Sequence, residues 1–184
     1  PTPPPATLIR FSAPMRVLFV YPNLYTQMGF NHGLASLSAC LKAVGHETRL
    51  LNLNENLPPV PSPEDVLAHL RAWRPGLVAF SCLTQQYPGA LELARFLREN
   101  AASGELPPMI VGGIHPTMVP GEVMADGVWD HVGVGECEDA LVELVRRIER
   151  GERPDDVPNF LSWKGGLRPA EADRPPVDAV HWLH

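Results

Sequence analysis

Short apolar runs alternate along this chain with segments in which apolar residues recur at helical spacing. Runs typical of strands cover residues 15–21, 47–53, 76–82, 109–111 and 131–132; the first is typical of a buried strand, the second alternates Leu51 and Leu53 with polar neighbours, and the fifth is weaker. Leu34, Leu37 and Leu41 instead recur at helical spacing, and Gly45 is expected to end their helix. Strands that alternate with helices predict an α/β fold with a five-stranded, mainly parallel sheet and helices on both faces.

Three further helices complete this pattern. Ser62 and Pro63, followed by two acidic residues, are typical of a helix start, with a serine cap and a proline in the first turn. A third helix is predicted over residues 89–100. A final helix carries the apolar positions Leu141, Leu144, Val145 and Ile148.

The 21 prolines of the chain divide it into a core and two flanking segments. They crowd residues 1–14 and 154–176, and proline is excluded from helix interiors and central strands. We therefore predict a proline-rich arm over 1–14, a domain over 15–150, and a linker over 151–184 leading to a further domain. Residues 160–167 resemble a hairpin turning at Gly165-Gly166.

Composition narrows the class of protein. The net charge of −6, without a basic cluster, argues against a nucleic-acid surface. No run of about 18 apolar residues and no signal peptide appear, so we predict a cytoplasmic protein without a membrane partner. The three cysteines lie too far apart for a Cys-x-x-Cys metal knuckle or a disulfide framework.

Parallel sheets bind ligands beyond the carboxyl ends of their strands, and the loops there lack several familiar motifs. No phosphate-binding loop and no hydrolase nucleophile elbow is present. The segment Gly133-Val134-Gly135 approaches a dinucleotide fingerprint, but Glu138 stands at the third glycine position. A phosphoacceptor domain would end its first strand in acids, whereas this strand ends in Tyr21-Pro22.

What remains is a wide, mostly neutral crevice with glycine turns and hydroxyl groups. Gly112 and Gly113 would let a ligand lie against the backbone, since no Cβ intrudes. Ser81 and Thr84 offer hydroxyls at the neighbouring strand end, although either pair can also serve a local turn. A large, partly apolar ligand with amides and one phosphate suits such a crevice better than a small anion.

Six segments, in this order, resemble the cobalamin-binding domain at the N-terminus of many radical-SAM enzymes. The resemblance covers residues 15–148 and rests on the set rather than on any one motif. The segments are Met15-Arg16-Val17-Leu18-Phe19-Val20-Tyr21-Pro22, Gly33-Leu34-Ala35-Ser36-Leu37-Ser38-Ala39, Gly45-His46-Glu47, Ser81-Cys82-Leu83-Thr84, Val111-Gly112-Gly113-Ile114-His115-Pro116-Thr117 and Gly133-Val134-Gly135-Glu136-Cys137-Glu138.

The resemblance implies a flavodoxin-like (Rossmann-like) sheet that holds cobalamin by its nucleotide tail, with the corrin ring over the strand ends. It places the tail in a slot between sheet and helices. The residues implied for the tail slot are Ser81, Thr84, Gly112, Gly113 and Gly135. Those implied nearer the ring are the first loop from Asn23 to His32, with Asn23, Tyr25 and His32 as its binding candidates, and the segment Ile114-His115. The last strand-end segment adds Gly133 and Glu136 to the cofactor-binding set.

One departure from related cobalamin domains concerns the cobalt. Methionine-synthase-like domains carry Asp-x-His-x-x-Gly, whose histidine ligates cobalt from below, and the first loop here lacks that motif. His32 is the candidate cobalt ligand in this loop; its alternative role is to pack against or cap the following helix. A zinc site formed by His32, His115 and Cys137 is a further alternative that no spacing requires.

A second departure concerns catalysis. A radical-SAM cluster needs Cys-x3-Cys-x2-Cys, which Cys40, Cys82 and Cys137 cannot supply, so we expect no complete active site in this chain. The resemblance implies that a radical-SAM barrel in the same polypeptide would add a four-iron four-sulfur cluster and SAM, most often for methyl transfer. Two alternatives stay open: a stand-alone cobalamin carrier or sensor, and a flavodoxin-like domain for another cofactor such as a flavin.

Overall fold

The structure is a computed structural model that describes residues 14–24, 31–152, 154 and 156–163. The strands are β1 (Arg16–Tyr21), β2 (Glu47–Asn52), β3 (Leu77–Ser81), β4 (Met109–Gly112), β5 (His131–Gly133) and β6 (Phe160–Ser162). The helices are α1 (His32–Ala43), α2 (Pro63–Trp73), α3 (Tyr87–Asn100), α4 (Ile114–Met118), α5 (Pro120–Ala125) and α6 (Glu138–Arg150), with a 3-10 turn at Thr84–Gln86.

The strands form one sheet in the order β2-β1-β3-β4-β5-β6. The first five pair in parallel, as the alternating pattern predicted, and the strand order is that of a flavodoxin-like fold. The prediction of five strands was wrong by one. A sixth strand pairs antiparallel with β5, with Leu161 opposite Val132.

The sixth strand also changes the interpretation of residues 160–167. The segment was predicted to form its own hairpin, but β6 instead pairs with β5 through a register that local sequence does not encode. Leu161 and Trp163 are buried, and the Trp163 indole donates a hydrogen bond to the carbonyl of Trp129 at 2.9 Å. The proposed turn at Gly165-Gly166 lies outside the described residues.

Apolar side chains fill both faces of the sheet. Leu18 and Val20 of β1 point to the face covered by α2 and α3, whereas Val17 and Phe19 point to the face covered by α1 and α6. This alternation follows from the two-residue period of a strand and explains why the central strands are continuously apolar.

Local signals set the helix starts. Ser62 and Asp65 form the reciprocal capping box expected at the start of α2. Asn31 caps α1 by accepting a hydrogen bond from the Leu34 amide at 2.9 Å, so the cap is Asn31 rather than His32. In the described part of the chain, no helix is long and apolar enough to cross a membrane.

Removing side-chain volume from β6 tests whether this strand belongs to the domain. Leu161 is 2% exposed in the core beside β5, so Leu161→Ala should lower the free energy of unfolding by about 2–5 kcal/mol. Leu57→Ala is the matched control because Leu57 is 50% exposed, and it should change stability little. Urea unfolding would measure both, and equal stabilities would contradict the docking of β6.

Candidate functional site: a slot beside the sheet

A cavity of about 440 Å³ lies between the sheet and helices α1 and α6. It opens at the carboxyl ends of the strands, where a parallel sheet ordinarily binds its ligand. Its lining comes from β1, β3, β4, β5 and β6, from α1, α4 and α6, and from the loops that follow β3, β4 and β5. We call this cavity the slot.

Small residues form the floor of the slot near its mouth. Ser81 pairs with Gly112 across β3 and β4, and Ala79 lies two residues before Ser81 on the same face. A Cβ built on Gly112 would find its nearest heavy atom, the Gly133 carbonyl oxygen, 4.0 Å away. The space above Gly112 is therefore open, and a ligand can lie directly on the backbone there.

Gly113 is required for a different reason. Its φ is 103°, in a region that residues with side chains rarely adopt, and its Cβ would lie 2.6 Å from the carbonyl oxygen of Cys82. The loops after β3 and β4 approach so closely that no side chain fits between them. This contact fixes the edge of the slot.

The slot is apolar in its depth, and its mouth carries polar groups together with the exposed apolar side chains of Ile114 and Met118. Phe19 and Ile110 of the sheet, with Leu37 of α1 and Leu141 of α6, line the deeper part. Hydroxyl, carboxylate and backbone groups line the mouth, where Thr117, Glu136 and Ser81 lie. The arrangement suits a ligand with an apolar part to bury and polar groups that stay near solvent.

Six of the predicted cofactor-binding residues line the slot: Ser81, Gly112, Gly113, Gly133, Gly135 and Glu136. Three others lie elsewhere. Thr84 is exposed at the start of the 3-10 turn, and His32 is exposed at the first position of α1. Asn23 is buried and accepts a hydrogen bond from the Gln86 side chain at 3.3 Å. Tyr25 lies outside the described residues.

His115 also lies away from the lining. Its ring stacks on Tyr87, with centroids 4.4 Å apart and planes 35° from parallel. Sequence placed it near the ligand because it follows Gly-Gly at a strand end, and its backbone does begin at that edge. The direction of its side chain depends on Tyr87, which no local pattern connects to it.

Several lining residues were not identified as site residues from sequence. Leu37 and Leu141 were predicted as core positions from helical spacing, but both face the slot. Thr117 lines it as well. Asn31 belongs to the first loop, which the resemblance placed near the ring, and Cys137 was considered only as a zinc ligand; both line the slot. These residues are identified only when the sheet register and the placement of α1 and α6 are known, and neither can be derived from the sequence pattern.

The cysteines beside the slot are held as neutral thiols. Burial raises the pKa of Cys137 to about 11, with a further contribution from the carboxylates of Glu138 and Glu136. Burial alone raises the pKa of Cys82 to about 12. Among the described residues, no three His, Cys, Asp or Glu side chains are grouped as a metal site, so the combination of His32, His115 and Cys137 is not assembled.

The model of one protein family, the B12 binding domain, matches residues 25–145, about two thirds of the chain. The chain belongs to the B12-binding domain family. The slot and its glycines therefore lie in a domain whose family binds cobalamin, and this assignment favours cobalamin over the flavin considered from the sequence.

Relatives of this B12-binding domain are longer proteins. Hopanoid C-3 methylase of Methylococcus capsulatus is 30% identical over 161 residues, which are 82% of this chain and 29% of that protein. A similar solved structure is that of the radical S-adenosylmethionine methyltransferase TsrM from Kitasatospora setae, with cobalamin and a 4Fe-4S cluster bound. It is 22% identical to this chain, and the match, with a TM-score of 0.68, covers 82% of this chain and 27% of the TsrM chain.

A third relative is OxsB, a cobalamin-dependent S-adenosylmethionine radical enzyme solved with aqua-cobalamin and S-adenosylmethionine bound. It is 16% identical to this chain, and the match, with a TM-score of 0.71, covers 92% of this chain and 22% of the OxsB chain. The two solved structures share the fold of this domain. The chain spans less than a third of each of the three relatives.

The raised pKa of Cys137 predicts its reactivity. At about pH 8 its thiolate should be roughly a hundredfold scarcer than that of an ordinary cysteine, so iodoacetamide should alkylate it slowly, and faster as pH rises toward about 11. Peptide mass mapping would follow Cys137 itself. The control is the chain unfolded in urea, where alkylation at pH 8 should be fast; equal rates in both states would contradict the burial of this thiol.

Proposed function

We propose that this domain binds cobalamin by inserting its nucleotide tail into the slot while the corrin ring lies over the carboxyl ends of the strands. The observation that supports it most directly is the open floor at Gly112, because a large ligand can approach the sheet only where side chains are absent. The apolar depth of the slot suits the base of the tail, and the polar groups at its mouth suit the phosphate of the tail and the corrin amides.

Each part of the slot has a distinct role in this proposal. Leu37 and Leu141 exclude water from the buried base, as apolar walls do in most cofactor sites. Ser81 offers a hydroxyl beside the backbone groups of Gly112 and Gly113 for the polar parts of the tail. When bound, cobalamin supplies a cobalt centre able to carry a methyl group, and the domain orients that centre.

We propose further that the domain serves a radical-SAM methyltransferase. The supporting observations are the named activities of its relatives and the short share of each that this chain spans. On this proposal, the cobalamin domain consists of residues 15–150 together with β6, the remainder of the predicted 151–184 segment leads to a barrel that binds SAM and a four-iron four-sulfur cluster, and the enzyme is cytoplasmic.

A stand-alone carrier or sensor is the second candidate. It would hold cobalamin in the same slot without a cluster of its own. The sequence of the parent gene decides between them, because an enzyme requires the cluster motif Cys-x3-Cys-x2-Cys downstream of residue 184. Its absence there would support a carrier or sensor.

Filling the floor of the slot tests the proposed tail site. Gly112→Ala and Gly112→Val should weaken cobalamin binding progressively, roughly tenfold or more for valine, because the added carbons occupy the space of the tail. The unliganded fold should persist, since Gly112 lacks a positive φ and valine is favoured in strands. Equilibrium titration followed by absorption would measure the affinity.

Gly89→Ala is the matched control for Gly112→Ala. Gly89 lies in the first turn of α3, outside the slot lining, and its Cβ would meet the nearest heavy atom, in Leu24, at 3.8 Å. The Gly89→Ala variant should bind cobalamin with the affinity of the unsubstituted protein. If Gly112→Val folds normally and binds cobalamin with unchanged affinity, the nucleotide tail does not lie over Gly112.

His32 stays a candidate cobalt ligand from the sequence, with packing or helix capping as its alternative role, and an absorption spectrum tests between the two. Because the Asp-x-His-x-x-Gly motif is missing, we expect His32→Ala to leave the bound cobalamin with an unchanged, base-off absorption spectrum. A histidine-ligated spectrum that becomes base-off in the variant would contradict this expectation and assign His32 to the cobalt.

A further inference from the structure

Two large apolar side chains stand exposed at the mouth of the slot. Ile114 is 62% exposed and Met118 is 73% exposed, and both line the slot. They occupy positions i and i+4 of α4, so they lie on one side of this short helix. Exposed apolar side chains grouped at a binding site indicate contact with a ligand or partner.

Helix α4 is attached to both sides of the slot mouth. At its start, the His115 amide donates a hydrogen bond to the Cys82 carbonyl at 3.4 Å, beside the close approach of Gly113. Near its end, the Thr117 hydroxyl oxygen accepts a hydrogen bond from the Gly135 amide at 3.0 Å. The helix therefore bridges the loop after β3 to the loop after β5.

His115 provides a third attachment, through its ring. The ring lies on Tyr87, whose hydroxyl donates to Asp126 at 2.5 Å and accepts from the Trp129 indole at 3.1 Å. Burial raises the pKa of the Tyr87 phenol well above its usual value, so this support stays neutral. Trp129 in turn packs edge-on against Phe80 of β3. The imidazole thus rests on a group fixed to the core.

We propose that α4 is an apolar lip over the mouth of the slot, in which Ile114 and Met118 contact the bound corrinoid and His115 acts as a positioning residue through Tyr87. The inference rests on the proposed function, because the occupant of the slot is taken to be cobalamin. It adds Met118 to Ile114, which the resemblance had placed near the ring, and it replaces the ligand contact expected of His115 with a stacking role.

Substitutions at His115 separate stacking from ligand contact. His115→Ala should speed the dissociation of hydroxocobalamin roughly tenfold, because α4 loses its support, while His115→Phe keeps the stack and should restore the slow rate. His115→Gln keeps hydrogen-bonding groups but not the aromatic ring, and should behave like alanine. If His115→Gln restores slow dissociation and His115→Phe does not, the proposal is overturned, and His115 contacts the ligand through hydrogen bonds instead.

Met118 tests the lip directly. Because Met118 is exposed, Met118→Ser should leave the thermal stability of the unliganded protein unchanged while speeding hydroxocobalamin dissociation roughly tenfold. An unchanged dissociation rate would overturn the lip. Leu57→Ser, at an exposed leucine outside the slot, is the control and should leave the rate unchanged.

Amide hydrogen exchange in the unliganded protein tests the positioning role without cobalamin. The amides of Thr117 and Val119 bond to the carbonyls of Gly113 and His115, each at 3.1 Å. His115→Ala should speed exchange at both amides and His115→Phe should not. Equal exchange in all three proteins would overturn the positioning role. Failure of the unsubstituted protein to retain cobalamin would instead count against the proposed function.

Discussion

The close backbone contact between Gly113 and Cys82 is the constraint on which the site depends. The Cys82 amide donates to the Gly112 carbonyl at 3.0 Å, and the Cβ that Gly113 lacks would lie 2.6 Å from the Cys82 carbonyl oxygen. The chain can turn from β4 into α4 at this point only because residue 113 is glycine. The same turn leaves the sheet face above Gly112 uncovered and begins the helix that borders the slot.

Binding and stability make opposite demands on this face of the sheet. Small residues at Ala79, Ser81 and Gly112 leave a gap between the sheet and helices α1 and α6, and an unfilled apolar gap forfeits packing contacts. A ligand that fills the slot restores them and stabilises the folded state by an amount that grows with the logarithm of one plus the ratio of its free concentration to its dissociation constant. The other face of the sheet, packed by α2 and α3, carries the continuous core that tolerates this gap.

Local sequence was sufficient where structure follows from nearest neighbours. The five parallel strands, the start of α2 at Ser62 and the glycine turn at Gly113 were predicted from runs, caps and turn chemistry. Long-range pairing was not accessible, since β6 could have turned on itself as readily as it joins β5. The same limit applies to His115, whose strand-end position was found but whose stacking on Tyr87 depends on the placement of α3.

Comparing hydroxocobalamin with cobinamide, a corrinoid without the nucleotide tail, tests the central claim most directly. The purified chain would be incubated with each corrinoid, desalted and examined by absorption spectroscopy. If the slot holds the tail, cobalamin is retained at about one per chain and cobinamide is lost, because only the tail reaches the apolar walls of the slot. Equal retention of both corrinoids, or retention of neither by a folded protein, would contradict the account.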